Sequence, residues 1–342
     1  MSTPSAVPDR VLVTGASGFV GSHVVRQLVA QGAHVRVFVR RRSSLAALDG
    51  LPVAITCGDV REPASVREAV RGCRSVYHVA ADYRLWARWP RELYATNVTG
   101  TINVLAAAHA EGVERIVYTS TVGALGRAAN GQPATEGTPA TLEMMIGHYK
   151  RSKFLAEQGA LRLAGQGCPV VIVNPSTPVG AWDLKPTPTG QMIVDFLNGR
   201  MPGYVETGLN LIDVEDVAAG HLLAMARGRV GERYILGHRN LTLEDILRLL
   251  ARVSDRPAPR ARVPWAVAFG VACVSTGIAW LTNRPPRVPL EGVRMARHPM
   301  FFDAGKAVRE LGLPQRPIEE ALAKAVRWFR EHRYAGSSPC RH

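Results

Sequence analysis

Nine residues near the start of the chain, Val13-Thr14-Gly15-Ala16-Ser17-Gly18-Phe19-Val20-Gly21, restrict its fold more than any other feature. They follow a β-branched run, Arg10–Thr14, and open a stretch of helical periodicity, Val20–Gln31, closed by Gly32. Glycine is required where a strand-to-helix turn is tight, where backbone must approach a phosphate, and where helix packs closely on strand. The free N–H groups at the helix start then favour an anion. GxxGxxG in this strand–turn–helix setting predicts a dinucleotide site, with Gly15, Ser17, Gly18, Phe19, Val20 and Gly21 around the pyrophosphate.

The same alternation continues. Strands are expected at Val35–Val39, Val53–Cys57, Ser75–Val79, Arg115–Thr119 and Val170–Val173, with helices at Pro63–Arg71, Thr99–Ala110 and Tyr149–Leu163. Strand–helix alternation of this kind implies an α/β fold, a Rossmann-type doubly wound parallel sheet covered on both faces. After residue 175 the texture changes to a proline-rich loop containing Pro175, Pro178, Pro186 and Pro188. A helix near Met192–Asn198, a strand near Asn210–Val214, a helix near Asp216–Ala226 and a strand at Arg233–Leu236 follow. Thr242 with Asp245 reads as a capping box for a helix ending near Val253, and Glu319–His332 is the last helix. The division expected is a flexible N-terminus (1–9), a cofactor domain (10–175) whose sheet part of 205–240 completes, a smaller C-terminal α/β substrate lobe (176–334) and a disordered tail (335–342).

The net charge of +14 invites a nucleic-acid reading, but each half of the chain carries +7 and 37 of the 42 bases are arginine. A nucleic-acid binder concentrates its charge on one element, so no nucleic-acid partner is expected. Five scattered cysteines fit neither a zinc ribbon nor a disulfide framework, and Cys57 and Cys73 read as buried thiols. The polar N-terminus has no apolar signal core, which points to the cytoplasm. Pro264–Leu281 has no charge over 18 residues, while 248–297 holds nine arginines against Asp255 and Glu291. As a helix the run covers about 27 Å, just short of the roughly 30 Å of hydrocarbon in a bilayer. It reads as a helix over the substrate cleft, with peripheral contact at the inner membrane through 260–287 as the alternative.

The second strand ends in Arg40-Arg41-Arg42, where NAD sites place a carboxylate for the ribose hydroxyls. A guanidinium there binds a 2′-phosphate, so NADP(H) is favoured and NAD(H) is the alternative. Asp59 and Val60 suit the adenine, and Ala80 and Ala81 let the cofactor lie close to a strand end.

Tyr149 and Lys153 form YxxxK, which puts both heads on one helix face. A neighbouring ammonium favours the phenolate and makes a tyrosine a better acid/base. Ser120 and Thr121, leaving a strand at the ligand edge of the sheet, supply a hydroxyl. Asp216 reads as a helix start rather than as half of a metal pair with Asp213, and no metal is expected.

Together these motifs resemble the extended short-chain dehydrogenase/reductase superfamily, in its epimerase/dehydratase branch. Longer strings, AADYRLWAR (80–88), IGHYKRSKFLAE (146–157), NPSTPVG (174–180), KPTPTG (185–190), GLNLIDVEDVA (208–218) and MFFDAGKA (300–307), resemble the hopanoid-associated sugar epimerases, a family similar to dihydroflavonol reductases. The resemblance implies Tyr149 as general acid/base and Lys153 on the nicotinamide ribose, lowering the tyrosine pKa. It implies Thr121, or the adjacent Ser120, as the hydroxyl on the substrate oxygen, and Asn97 as a structural or proton-relay asparagine. Pro175 and Ser176 would border the nicotinamide. Asn174 is similar to a diphosphate contact of nucleotide-sugar epimerases, and Arg294 or Arg297 lies near the place of another, although the usual Arg-Pro-Gly-Asp string is absent. Tyr83, Arg84, Trp86, His148, Lys185 and Asn210 are the substrate-facing candidates, and His148 could instead cap its helix. The activity implied is a sugar epimerase or oxidoreductase on a small-molecule substrate; a homodimer is one possible assembly. The alternatives are an NADPH-dependent carbonyl reductase and a non-catalytic cofactor-binding partner in a membrane-lipid assembly.

Overall fold

The computed structural model describes residues 10–127 and 131–335. The expectations for 1–9 and for 336–342 fall outside the described residues. Ala335, counted above with the tail, is buried and closes a core cluster.

The strands are β1 Arg10–Thr14, β2 His34–Val39, β3 Ala54–Cys57, β4 Ser75–His78, β5 Arg115–Thr119, β6 Val170–Pro175, β7 Thr177–Val179, β8 Gly203–Tyr204, β9 Gly208–Asp213, β10 Arg233–Leu236, β11 Arg239–Thr242 and β12 Ala261–Arg262. The helices are α1 Phe19–Ala30, α2 Pro63–Val70, α3 Arg91–Tyr94, α4 Gly100–Ala110, α5 Gly147–Gly165, α6 Pro188–Leu197, α7 Val214–Arg227, α8 Leu243–Ser254, α9 Trp265–Thr282, α10 Leu290–Met295, α11 Gly305–Leu311 and α12 Ile318–Glu331.

Seven strands form one parallel sheet in the order β10-β6-β5-β4-β1-β2-β3. Its β-branched strands are buried on both sides, and every residue of β6 is buried. Val24 and Leu28 of α1 and Val217 of α7 cover one face, while Val66 of α2, Val104 of α4 and Ala156 of α5 cover the other. Strand order reverses between β1 and β4, and in open sheets ligands bind beyond the strand ends at that point. The glycine turn, the end of β4 and the end of β5 all meet there.

A second core lies between the β11-β9-β7 sheet and helices α6, α8 and α12, with Phe196, Leu250 and Phe329 inside. Thr242 accepts from the Asp245 N–H at 3.1 Å and so caps α8. α7 begins earlier than expected. Asp213 is its cap, accepting from the Glu215 N–H, while Asp216 takes the Arg316 N–H and guanidinium.

Two expectations are corrected. Cys57 is exposed, because β3 is the edge strand and its outer side carries no helix. The apolar helix α9 does not cover the cleft as a packed lid. It reaches the cleft loop through Trp280, whose ring lies 6.3 Å from that of Trp86, yet only Ala272 and Ala279 are buried along its length.

Candidate functional site

The glycine turn is built so that only glycine fits. Gly15 has φ +68°, and a Cβ there would meet the backbone of Ala80 at 2.5 Å. A Cβ on Gly21 would meet the Gly15 carbonyl oxygen at 2.2 Å. α1 starts behind Gly18 with no side-chain cap, which leaves the N–H groups of Phe19 and Val20 facing outward. This cradle, with β4 against its base, fits a dinucleotide pyrophosphate. Beneath it, Thr14 Oγ1 and His78 Nδ1 are 2.8 Å apart, and His78 Nε2 reaches Thr101 Oγ1 at 3.0 Å. Burial pushes the His78 pKa down to about 3, so the ring is a neutral strut.

At the end of β2, Arg40, Arg41 and Arg42 are exposed. In the turn after β3, Asp59 takes a two-point hydrogen bond from Arg61, which holds its carboxyl below the usual carboxylate range with a contribution from Arg40. Val60 is buried against Gly100, with its carbonyl taken by Asn103. Its side chain therefore belongs to the core rather than to a cofactor surface.

Tyr149 lies in the first turn of α5, beside the end of β5. The Thr121 hydroxyl stands against its phenol and favours ionisation, but burial prevails and pushes the pKa up to about 12. The expected lowering by Lys153 is absent. Lys153 Nζ donates instead to the Tyr118 hydroxyl at 3.0 Å and the Thr119 carbonyl at 2.7 Å. Burial pushes its pKa down to about 7, against the pull of Glu157. Ser120 Oγ is buried with no hydrogen-bond partner among the described residues. Thr121, not Ser120, is thus the hydroxyl that the structure sets beside Tyr149.

Asn97 sits in a π-helical turn, Ala95–Thr99, of the kind found at functional sites. Its amide donates to the Asp82 carbonyl (2.8 Å) and Ser152 Oγ (2.9 Å) and accepts from the Asp82 N–H (2.7 Å). It ties the loop after β4 to α5. Ala80 is pinned in turn, its N–H donating to Thr14 Oγ1. Pro175 ends β6 and Ser176 follows it, and Ser176 Oγ, like Ser120 Oγ, is buried without a partner among the described residues.

The substrate candidates divide. Tyr83 donates to the Lys185 carbonyl at 3.2 Å, which brings two of them together across the cleft. Arg84 is neutralised by Asp82, and Trp86 packs on Trp280. His148 is exposed, 3.3 Å from the Tyr94 hydroxyl, and its side chain does not cap α5. Arg294 is exposed on α10. Asn174 and Asn210 are both enclosed, and only Asn210 is a correction. Asn174 Nδ2 donates to Glu157 and the Thr121 carbonyl, while its Oδ1 has no partner among the described residues. Asn210 spends its own on Asn240 and the Phe302 carbonyl, and accepts from the His238 N–H.

Sequence reasoning passed over Tyr118, Asp82 and Glu157. For Glu157 the signal was present, since Tyr149, Lys153 and Glu157 share a four-residue spacing and hence a helix face. Glu157 is buried and binds Arg233 as well as Asn174. The partnerships of Tyr118 and Asp82 depend on how strand ends meet and carry no local signal.

A family model described as the NAD dependent epimerase/dehydratase family matches residues 11–237. A protein of Synechocystis sp., provisionally named a dihydroflavonol 4-reductase, is 49% identical over 333 residues, covering 96% of this chain and 97% of its own. Sterol demethylase protein B of Methylococcus capsulatus is 37% identical over 322 residues, covering 94% and 98%. The crystal structure of a nucleoside-diphosphate-sugar epimerase from Pseudomonas aeruginosa, 29% identical, superposes with a TM-score of 0.79 over 96% of this chain and 99% of its own.

Proposed function

The chain belongs to the NAD-dependent epimerase/dehydratase family and is an enzyme of the extended short-chain dehydrogenase/reductase fold, and from that premise we propose that it is an NADPH-dependent reductase of a small-molecule ketone. The observation that carries this reading is the meeting of the Thr121 hydroxyl and the Tyr149 phenol beyond the end of β5, in a chain 49% identical to a protein provisionally named a dihydroflavonol 4-reductase. A reduction needs a proton donor at the carbonyl oxygen, and a phenol with a raised pKa can serve as one.

A nicotinamide dinucleotide, when bound, supplies the hydride. The Gly15–Gly21 turn holds its pyrophosphate, Arg40 takes a 2′-phosphate, and Asp59 lies toward the adenine. Lys153 has one proton left after Tyr118 and Thr119, and that proton serves the nicotinamide ribose. Pro175 and Ser176 border the ring. Thr121 holds the substrate oxygen and Tyr149 delivers the proton to it. Asn97 fixes the loop carrying Tyr83, Arg84 and Trp86, which faces the substrate with Lys185.

The second reading is a sugar epimerase associated with hopanoid biosynthesis, favoured by the six family-like strings. Against a nucleotide-sugar substrate stand Asn210, whose amide is fully taken within the fold, and the missing Arg-Pro-Gly-Asp. A non-catalytic role fits poorly with a chain that keeps both Tyr149 and Lys153. We place the enzyme in the cytoplasm, as a homodimer. The deciding experiment is to release and identify any cofactor from the purified protein, then follow NADPH consumption with a ketone panel. Cofactor-free protein that oxidises NADPH supports the reductase. Tightly held dinucleotide with no net consumption supports the epimerase.

A further inference from the structure

Among the described residues α9 is the one helix long and apolar enough to cross a membrane. Val267, Val271, Val274, Ile278 and Leu281 run along it at alternating spacings of four and three, each between 52% and 88% exposed. The flanking Gly270, Cys273 and Gly277 are also exposed and uncharged. The inner side rests on 288–293, where Trp265 Nε1 donates to the Val293 carbonyl and Ser275 Oγ accepts from the Val288 N–H. A helix facing water carries charge on its outer side, and this one has none.

The surroundings say what covers it. Arg260 and Arg262 stand before the helix, Arg284 and Arg287 after it, all exposed. Among the described residues Arg260, Arg284 and Arg287 form no ion pair, while Arg262 is paired with Glu244. No acidic residue occurs between Asp255 and Glu291. A second copy seated on this face would set arginine against arginine. It would also need charged flanks beside a narrow seam, where this chain has glycine and cysteine. An anionic lipid surface satisfies both the apolar width and the basic rim. Crossing the bilayer is ruled out by the fold. The residues after α9 complete the body, with the Phe302 N–H donating to Asn240 and α12 filling the second core.

We propose that α9 is an anchor that lies flat in an anionic bilayer surface, its valine–isoleucine–leucine stripe among the acyl chains and its rim arginines at the phosphates. The Trp86–Trp280 contact then holds the cleft loop at the lipid, with Trp89, 71% exposed, on the same loop. Tryptophan is favoured at that depth. The docking stands independently of the reductase reading.

The test is flotation of the full-length protein with vesicles of phosphatidylcholine alone and of equal parts phosphatidylcholine and phosphatidylglycerol, at low and high salt. The expected result is binding to the mixed vesicles that salt weakens. Arg284→Glu with Arg287→Glu should lower partitioning by about tenfold or more, taking about fivefold per arginine. Val274→Asp with Ile278→Asp should abolish it. NADPH binding and reduction of a water-soluble ketone, measured on the same samples, report that each variant is folded. Wild-type protein that stays unbound at low salt overturns the anchor. So does a wild-type dimer that Ile278→Asp splits in vesicle-free buffer, which would assign the stripe to a second copy. Protein that floats but neither binds nor oxidises NADPH overturns the reductase reading alone.

Discussion

Lys153 Nζ lies 3.0 Å from the hydroxyl of Tyr118, a residue of β5, and not in a hydrogen bond with Tyr149 one turn away on its own helix. The scaffold therefore holds the lysine through β5, while burial raises the Tyr149 pKa beside Thr121. Under the proposed function, positioning and proton delivery fall to two residues that do not hold each other.

If Tyr149 delivers the proton, Tyr149→Phe should cut kcat by at least about a hundredfold, the usual minimum for a positioned general acid. Dinucleotide affinity should move by less than about twofold, since no turn or Lys153 contact is lost. NADPH fluorescence titration beside steady-state rates checks both. Retained turnover removes Tyr149 from its role.

Thr121 and Ser120 should separate cleanly. Thr121→Val removes the hydroxyl beside the phenol and should lower kcat by about a hundredfold, as for loss of one oxyanion donor. Ser120→Ala removes a buried hydroxyl with no partner and should cost activity less than about threefold while leaving stability equal or higher. Rates and melting temperatures of the two variants decide it, and the reverse order would move the role to Ser120.

Arg40→Ala should weaken NADP(H) by about tenfold or more, the range of a charge-assisted hydrogen bond. NAD(H) affinity should change by less than about twofold. Isothermal titration with both cofactors is the measurement, and equal losses would refute the 2′-phosphate assignment.

Buried histidines predict acid sensitivity. Burial pushes His78 from its ordinary 6.5 to about 3 and His221 to about 4, and it pushes Asp183 from 3.8 up to about 6. Between pH 4 and 6 the unfolded chain binds both histidine protons, whereas the fold binds only the Asp183 proton. Those three groups leave the fold one proton short. Stability should therefore rise with pH across that window by about 1.4 kcal/mol per unit, and fall as pH drops from 6 to 4. His221→Gln should flatten the slope at some cost in overall stability. Guanidinium midpoints at half-unit pH steps would show it, and a flat wild-type profile would sink the idea.

How much of this was legible beforehand follows from range. Gly15, Gly18 and Gly21 announced the turn because its constraint is local, and the β-branched runs announced a sheet because burial on both faces leaves no alternation. Arg10–Thr14, Arg115–Thr119 and Arg233–Leu236 fall at the expected residues. What stayed hidden depends on partners far along the chain. Asn210 looks like a ligand contact in a string of letters, yet Asn240, Phe302 and His238 claim it in space. Cys57 looks buried by its neighbours, and only strand order reveals an edge. The pKa of Tyr149 could not be read from YxxxK, because it depends on how deeply the fold buries the phenol and on the Thr121 hydroxyl set against it.

The grip of Asn97 on both Asp82 and Ser152 has a consequence for how such an enzyme can change over generations. The loop after β4 is bolted to α5 at one residue, so the stretch from Tyr83 to Trp89 is anchored apart from Tyr149. Under the proposed function, chemistry and choice of substrate would then be inherited separately. A lineage would trade one substrate for another by rewriting seven residues while the proposed proton donor stays where it was.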